Sequence, residues 1–381
     1  MQTILLAFFS SLLACLLIVR LQRLHLNYTG DLHDQTRQKY HAGTVPRIGG
    51  VALLSAAALA LSWSSWRGIV SRDVWYLMVA ALPAFGAGCV EDLTKQISPR
   101  VRLMATFASA ALAAWWLQSY VTAIGIPVVD DWLAWTPLDG AMIAPAGLLL
   151  TIVGVAGVAN AINIIDGFHG LSAAVSILMF LALGYVGWVV GDALTVQVSL
   201  AMIGALVGFM FWNYPRGLIF MGDGGAYLTG FLLAQTGVLL ATRNPQVSPW
   251  FVLLVCAYPI IETLFSMYRK FFIRKISPTL PDALHMHILI YRRLLRWAAG
   301  PEVSRDVTPR NAATSPYLWM FSSLSIAPAV LLWNQPTLLQ LVFLAYVAFY
   351  LWFYRRLVRF RAPRWLRRSI TLEADQSSHS R

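Results

Sequence analysis

Long apolar runs alternate with short polar stretches along the whole chain, at roughly 3–21, 48–63, 74–90, 102–120, 142–164, 171–190, 195–212, 226–241, 249–268, 316–333 and 337–354. The run from Met142 to Ile165 carries no charge. It exceeds the ~20 residues that a helix rising ~1.5 Å per residue needs to cross ~30 Å of hydrocarbon. Runs of this length do not suit the short alternating strands of a membrane barrel. The pattern predicts an all-α integral membrane protein with about 11 transmembrane helices. Only 22–47 and 269–315 interrupt it with long hydrophilic stretches, and no repeat period stands out. One polytopic membrane domain is expected over 1–370, and 371–381, with Ser377, Ser378 and Ser380, is expected to be a disordered tail.

Composition agrees with that pattern. Of 381 residues, 58% are apolar and 12% charged, whereas an average soluble domain is about 45–50% apolar and about 25% charged. A formal net charge of +12 would suggest nucleic acid as partner of a soluble chain. Basic residues of membrane proteins instead gather in cytoplasmic loops, so no nucleic-acid partner is expected. With the first run retained and its N-terminus outside, 26 of the 29 Lys and Arg fall on cytoplasmic segments, and only Arg67, Arg72 and Arg243 fall outside. The expected topology is N-terminus outside and C-terminus cytoplasmic. The basic residues from Arg355 to Arg368 then read as a contact with anionic membrane lipids. Cys15, Cys89 and Cys256 lie in or beside apolar runs without CxxC spacing, so neither a disulfide nor a zinc framework is expected.

Lys and Arg alone fix that topology, so the acids and histidines test it. Glu91 and Asp92 end the third run, Asp166 ends the fifth, Asp223 lies between the seventh and eighth, and His285 and His287 lie between the ninth and tenth. All fall on the expected cytoplasmic side. Carboxylates at a membrane boundary are costly unless hydrated, paired or cation-bound, so several on one face predict a polar site. Glu91 and Asp92 are either a solvated helix end beside Lys95 or a pair that holds a divalent cation or a proton. Asn160, Asn163 and Asp166 recur at i, i+3 and i+6, near one helical face, and Gly167 and Gly170 let the backbone approach a ligand. The Gly-rich stretch Asn213 to Gly225 offers N–H groups suited to phosphate and, in Asp223, an acid suited to Mg²⁺. His285 and His287 lack the i, i+4 spacing of a helical zinc pair, which ranks phosphate contact above metal ligation. Glu262, inside the ninth run, is open between a structural ion pair and a catalytic role.

Together with Pro46-Arg47-Ile48-Gly49-Gly50, Asn160 to Leu171 and Phe220-Met221-Gly222-Asp223, these residues resemble the polyprenyl-phosphate N-acetylhexosamine-1-phosphate transferases. That group also contains phospho-N-acetylmuramoyl-pentapeptide transferase. The resemblance runs from His41 to Arg293. It implies transfer of a sugar 1-phosphate from a UDP-N-acetylhexosamine to polyprenyl (undecaprenyl) phosphate, with release of UMP and with Mg²⁺ or Mn²⁺ as cofactor. The site would face the cytoplasm from a bacterial inner membrane. By motif position, Asp223 and Asp92 would coordinate the metal, and Asp92 with Glu91 would activate or orient the lipid phosphate. Asn163, Asp166 and Asn213 would position the nucleotide, Phe220 would stack on uracil, His169 would touch uracil or phosphate, and Lys39, His285 and His287 would contact phosphates or the sugar.

The chain departs from the family pattern at three positions. Glu91 replaces the first acid of an adjacent Asp pair, His169 stands where many members carry a second Asp, and Ile288 stands where a further His is frequent. The last departure favours the branch that primes O-antigen or other surface polysaccharides over the muramoyl-pentapeptide enzyme. An ion-coupled transporter is the alternative from another class, since Glu262 and boundary acids also mark ion pathways. A second copy of the chain, forming a homodimer, is a candidate partner.

Overall fold

The computed structural model describes residues 1–31, 44–136, 144–275, 284–295 and 307–359. Among the described residues, each of the expected apolar runs falls on one helix, except 249–268, which falls on two. In chain order the helices are α1 (Gln2–Arg20), α2 (Gln22–Thr29), α3 (Gly49–Trp66), α4 (Asp73–Thr94), α5 (Pro99–Leu117), α6 (Pro127–Ala134), α7 (Pro145–Ile165) and α8 (Leu171–Val190). They continue as α9 (Ala193–Asn213), α10 (Gly222–Arg243), α11 (Pro249–Val255), α12 (Ala257–Tyr268), α13 (Met286–Leu289), α14 (Val307–Leu331) and α15 (Pro336–Arg359). Local chemistry sets several starts: α5 and α11 open with proline behind the capping hydroxyls of Ser98 and Ser248, and the Asp192 carboxylate accepts from Thr195 N at 2.9 Å to cap α9.

Among the described residues, eight helices are long and apolar enough to cross a membrane, or nine if α11 and α12 count as one span broken by a 72° bend. The expectation of eleven spans therefore meets a lower number by this measure. Helices α5 and α14 are the difference, since α5 opens with Arg100 and Arg102 and α14 carries Arg310, Asn311 and several serines. Helix α10 is the centre of the bundle, packed on α4, α7, α3 and α8, with 89% of its apolar window buried. Helices α1 and α15 lie at the periphery, with 22% buried. On α1, Leu5, Phe9, Leu13 and Leu17 form an exposed row at every fourth residue. Such a row is untenable in water and suits lipid.

With no hydrophobic drive between helices in lipid, close packing depends on small residues. Gly204 and Gly208 of α9 provide it against α1, where a Cβ at Gly208 would stand 2.5 Å from the Phe8 carbonyl oxygen. The same device acts at the site end of the bundle. Gly50 of α3 and Gly88 of α4 meet Gly225 and Gly224 of α10 backbone to backbone, and a Cβ at Gly88 would stand 2.5 Å from Gly224 N.

One short antiparallel pairing, β1 (Gly30–Asp31) with β2 (Val45–Pro46), precedes α3. From β2 the chain bonds to the loop before α10: Phe220 N donates to Pro46 O at 2.9 Å, Gly49 N to Phe220 O at 3.0 Å, and Gly50 N to Met221 O at 2.8 Å. The two motifs at 46–50 and 220–223 are thus one backbone-bonded unit, and it fixes where Arg47 stands.

Candidate active site

Of the acids singled out in the sequence, Asp92, Asp166 and Asp223 converge where the C-terminal ends of α4 and α7 meet the N-terminal end of α10. Asp223 opens α10. Its Oδ1 accepts from Arg47 Nη2 and from Asn163 Nδ2, both at 3.0 Å, and its Oδ2 is bonded by Arg102 Nη1. Asp92, 2% exposed, turns both oxygens onto the start of the same helix, accepting from Asp223 N at 2.9 Å and Gly224 N at 3.0 Å. A carboxylate at a helix N-terminus satisfies orphan donors and matches the helix dipole. Gly222, at φ +74, makes the turn possible, since a Cβ there would collide with the Asp92 carboxylate and the Arg47 carbonyl. Arg47 also reaches Asp92 at 3.5 Å, so one guanidinium spans both acids. Glu91 points elsewhere, its Oε2 accepting from Ile97 N at 2.7 Å in the α4–α5 turn.

Asp166 follows α7 and accepts from the Ser172 hydroxyl. Burial pushes its carboxyl up to about 6. Asn213 is a structural tie: its Oδ1 accepts from Gly170 N at 2.6 Å and its Nδ2 donates to Ile219 O at 2.7 Å. His169 is buried, with Nδ1 3.0 Å from Pro215 O and its ring 5.8 Å from that of Phe220. Its backbone is held by α14, through Asn311 Oδ1 at 2.8 Å and the Ser315 hydroxyl at 2.6 Å. Lys39 lies outside the described residues.

A cleft of about 940 Å³ opens beside these acids. Arg100, Arg102, Asn163, Lys270, His285 and His287 line its polar part, and Val153, Leu253, Ile260 and Leu264 line an apolar part along the bent α11–α12 pair. His285 and His287 stack face to face at 5.3 Å, and His287 meets Phe168 edge-on at 5.4 Å. Burial, with His285 beside it, takes the His287 imidazole down to about 3, so this ring is neutral at physiological pH. Asp92, Asp166 and Asp223 sit one layer behind the cleft wall, with Arg102 and Asn163 between Asp223 and the open space.

Sequence reasoning gave no role to Arg47 or Arg102, the two cations that pair with Asp223, nor to Lys270. Their signal was present as Arg47 in the 46–50 motif and Arg100 and Arg102 just after Glu91-Asp92, but it was absorbed into the basic residues that set topology. Asn311 and Ser315 carried no signal, because they reach the site from 142 and 146 residues away.

The fold and this site define a multi-span membrane protein with a one-ended, phosphate-suited polar cleft. The profile of glycosyl transferase family 4 matches residues 74–241, which contain α4, α7 and the start of α10. The undecaprenyl-phosphate alpha-N-acetylglucosaminyl 1-phosphate transferases of Thermotoga maritima and Escherichia coli K12 are each 28% identical, covering 68% and 67% of this chain and 72% and 67% of their own lengths. A probable undecaprenyl-phosphate N-acetylglucosaminyl 1-phosphate transferase of Bacillus subtilis is 26% identical over 75% of this chain and 77% of its own. Residues 74–241 thus carry the pattern of glycosyl transferase family 4, and the chain is similar to undecaprenyl-phosphate N-acetylglucosaminyl 1-phosphate transferases.

Proposed function

We propose that the protein transfers a sugar 1-phosphate from a UDP-N-acetylhexosamine to undecaprenyl phosphate and releases UMP. The observation that carries this reading is the continuity of the cleft from a cationic and amide-lined end to an apolar trough along α11 and α12. One end suits a diphosphate and the other a polyprenyl chain. In the reaction the β-phosphorus of the donor exchanges its bond to the UMP oxygen for a bond to an oxygen of the lipid phosphate. Between two anionic substrates the protein must supply charge neutralisation and in-line positioning more than covalent chemistry.

Arg102, Arg100 and Lys270 neutralise phosphate charge from the cleft wall, and Asn163 positions the donor. Asp92 sets the direction of α10 and with it Asp223, and Glu91 shapes the turn that presents Arg100 and Arg102. Among the described residues no three His, Cys, Asp or Glu come together as a self-sufficient metal cage. The donor set still fits Mg²⁺ of the kind held by one or two carboxylates and completed by substrate phosphates. Asp223 would hold it, because its partners are side chains that can exchange onto phosphate, whereas the oxygens of Asp92 are committed to backbone N–H groups. When bound, the ion would neutralise charge on the diphosphate.

The positive-inside distribution supports a cytoplasmic site in the inner membrane, and the lack of a longer histidine run supports a role in priming surface polysaccharide such as O-antigen. The transporter alternative loses its main support, since both carboxylate oxygens of Glu262 are engaged by protein donors. The test is UMP release from UDP-N-acetylglucosamine by purified protein on addition of undecaprenyl phosphate and Mg²⁺, with the mass of the lipid product read across a panel of UDP-N-acetylhexosamines. No UMP release with any donor refutes the reading.

A further inference from the structure

Glu262 is fully buried in α12, more than a turn inside the bundle from Arg269. Taking a carboxylate out of water costs several kcal/mol even after relaxation unless it is paired and fully hydrogen-bonded. Here its Oε1 accepts from His285 Nδ1 at 2.8 Å and from Met286 N at 3.1 Å, and its Oε2 accepts from the Tyr350 hydroxyl at 2.8 Å. Among the described residues its ion-pair partner is His285 and no Lys or Arg. Apolar packing would join α12 to α15 at lower cost, so a carboxylate at this depth calls for a partner that needs it. That partner is an imidazole on the cleft wall.

We propose that Glu262, held in place by Tyr350, is a positioning residue that orients the His285–His287 pair toward the substrate phosphates. The inference rests on the phosphoryl-transfer reading of the cleft. A hydrogen bond to one ring nitrogen decides what the other nitrogen carries and where it points. With Nδ1 committed to Glu262, His285 presents Nε2 to the cleft. The parallel stack at 5.3 Å passes that orientation to His287, which packs on Phe168 beside Asp166. Tyr354 braces the same segment, its hydroxyl donating to Leu284 O at 2.9 Å. The histidine segment is therefore aimed by α12 and α15 together.

Glu262→Gln keeps the shape and one oxygen that can accept from both Met286 N and His285 Nδ1, so the fold is retained, while the charge that strengthens the hold on Nδ1 is lost. The expected result is a kcat lowered about 10- to 100-fold, the loss typical when a partner that orients a functional histidine is removed, with the KM for UDP-N-acetylglucosamine changed much less. In a His285→Ala background Glu262→Gln should cause no further fall in kcat, because both changes remove one function. Tyr350→Phe should show a smaller loss that is less than additive with Glu262→Gln. A parental rate for Glu262→Gln, or the same fractional loss with and without His285, overturns the proposal. ¹⁵N spectra of histidine-labelled protein give a readout independent of activity. The His285 signals should report Nδ1–H in the parent and change in Glu262→Gln, and unchanged signals overturn the inference even if the parent releases no UMP. Failure of the parent to release UMP with a changed His285 signal instead counts against the reading of the cleft alone.

Discussion

Replacing Asp92 by Asn separates a positioning acid from a reacting one. Asp92 accepts two backbone N–H groups at the start of α10, at 2.9 and 3.0 Å, from a site that is 2% exposed. An amide has one oxygen, so one of the two N–H groups must then face an NH₂. A hydrogen bond to a charged group contributes about 1.5–3 kcal/mol, and a buried donor left without its acceptor costs about 1–3 kcal/mol. Relief of one buried charge offsets part of this, and a net loss of about 1–3 kcal/mol remains. Asp92→Ala, which keeps neither acceptor, should lose more. The assay is thermal unfolding of the detergent-solubilised variants followed by fluorescence-detected gel filtration, alongside kcat. A lower melting temperature together with lower kcat, in the order Ala below Asn below parent, is expected. If Asp92→Asn melts with the parent and loses only turnover, the capping role is secondary, and Asp92 acts on the lipid phosphate as the motif alone implied.

Asp223→Asn should leave a folded protein whose turnover falls by about 10²- to 10³-fold, the scale for loss of one electrostatic stabiliser, and near-parental activity at saturating Mg²⁺ would remove Asp223 from the metal assignment. Gly88→Ala forces a Cβ to 2.5 Å from Gly224 N and should cost about 1–3 kcal/mol by overpacking together with activity, whereas Gly86→Ala in the same helix meets nothing within 4 Å and should be neutral or slightly stabilising; equal melting temperatures for the two would refute the close-approach argument. Asp166, raised to about 6 in the fold, binds its proton more tightly folded than unfolded, so its contribution is fully present below its unfolded value and is lost as pH rises through about 6. Asp166→Asn should therefore flatten the melting temperature between pH 4 and 6.5, and an unchanged slope would count against it. Single-cysteine labelling from outside cells, in a background lacking Cys15, Cys89 and Cys256, should mark 121–141 and spare 22–47, 91–101, 213–225 and 269–315; the reverse pattern would overturn the cytoplasmic site.

The helices were legible because in lipid the apolar run is the helix. With no water to satisfy backbone groups, length and apolarity leave few alternatives. The break between α11 and α12 was not. Pro259 offers no N–H to Val255 O, which places the bend near Cys256. Pro83 removes the same bond inside α4, yet that helix continues through it, and nearby Ala84 N donates to the Ser109 hydroxyl of α5 at 2.9 Å. Whether a proline bends a span depends on what a neighbouring helix offers the freed backbone, and the local sequence does not contain that. Helices α5 and α14 fall short of the length-and-apolarity measure of a span because polar residues useful to the site lower their apolarity.

In the site, local spacing revealed which residues carry chemistry but not which of their atoms are free to perform it. Asp92 and Asp223 look equivalent in sequence as acids at run boundaries on one face. Only the packing of α4 on α10 through Gly88 and Gly224 makes one the cap of the other's helix. Arg47 meets Asp223 across 176 positions and Arg102 across 121, separations that no motif encodes. The motif at 46–50 is nevertheless contiguous, because its backbone must bond to Phe220 and Met221 for Arg47 to arrive. Asn213 is the opposite case. The family resemblance implied a nucleotide contact for it, but both ends of its amide join Gly170 to Ile219, so the amide is committed to the loop it holds. A buried polar side chain in a membrane must find partners somewhere. Asp92 and Asn213 found them in backbone groups, and Asp223, Asn163 and Asp166 in side chains, with Arg100, Lys270 and the histidines on the cleft wall that an anionic substrate would meet.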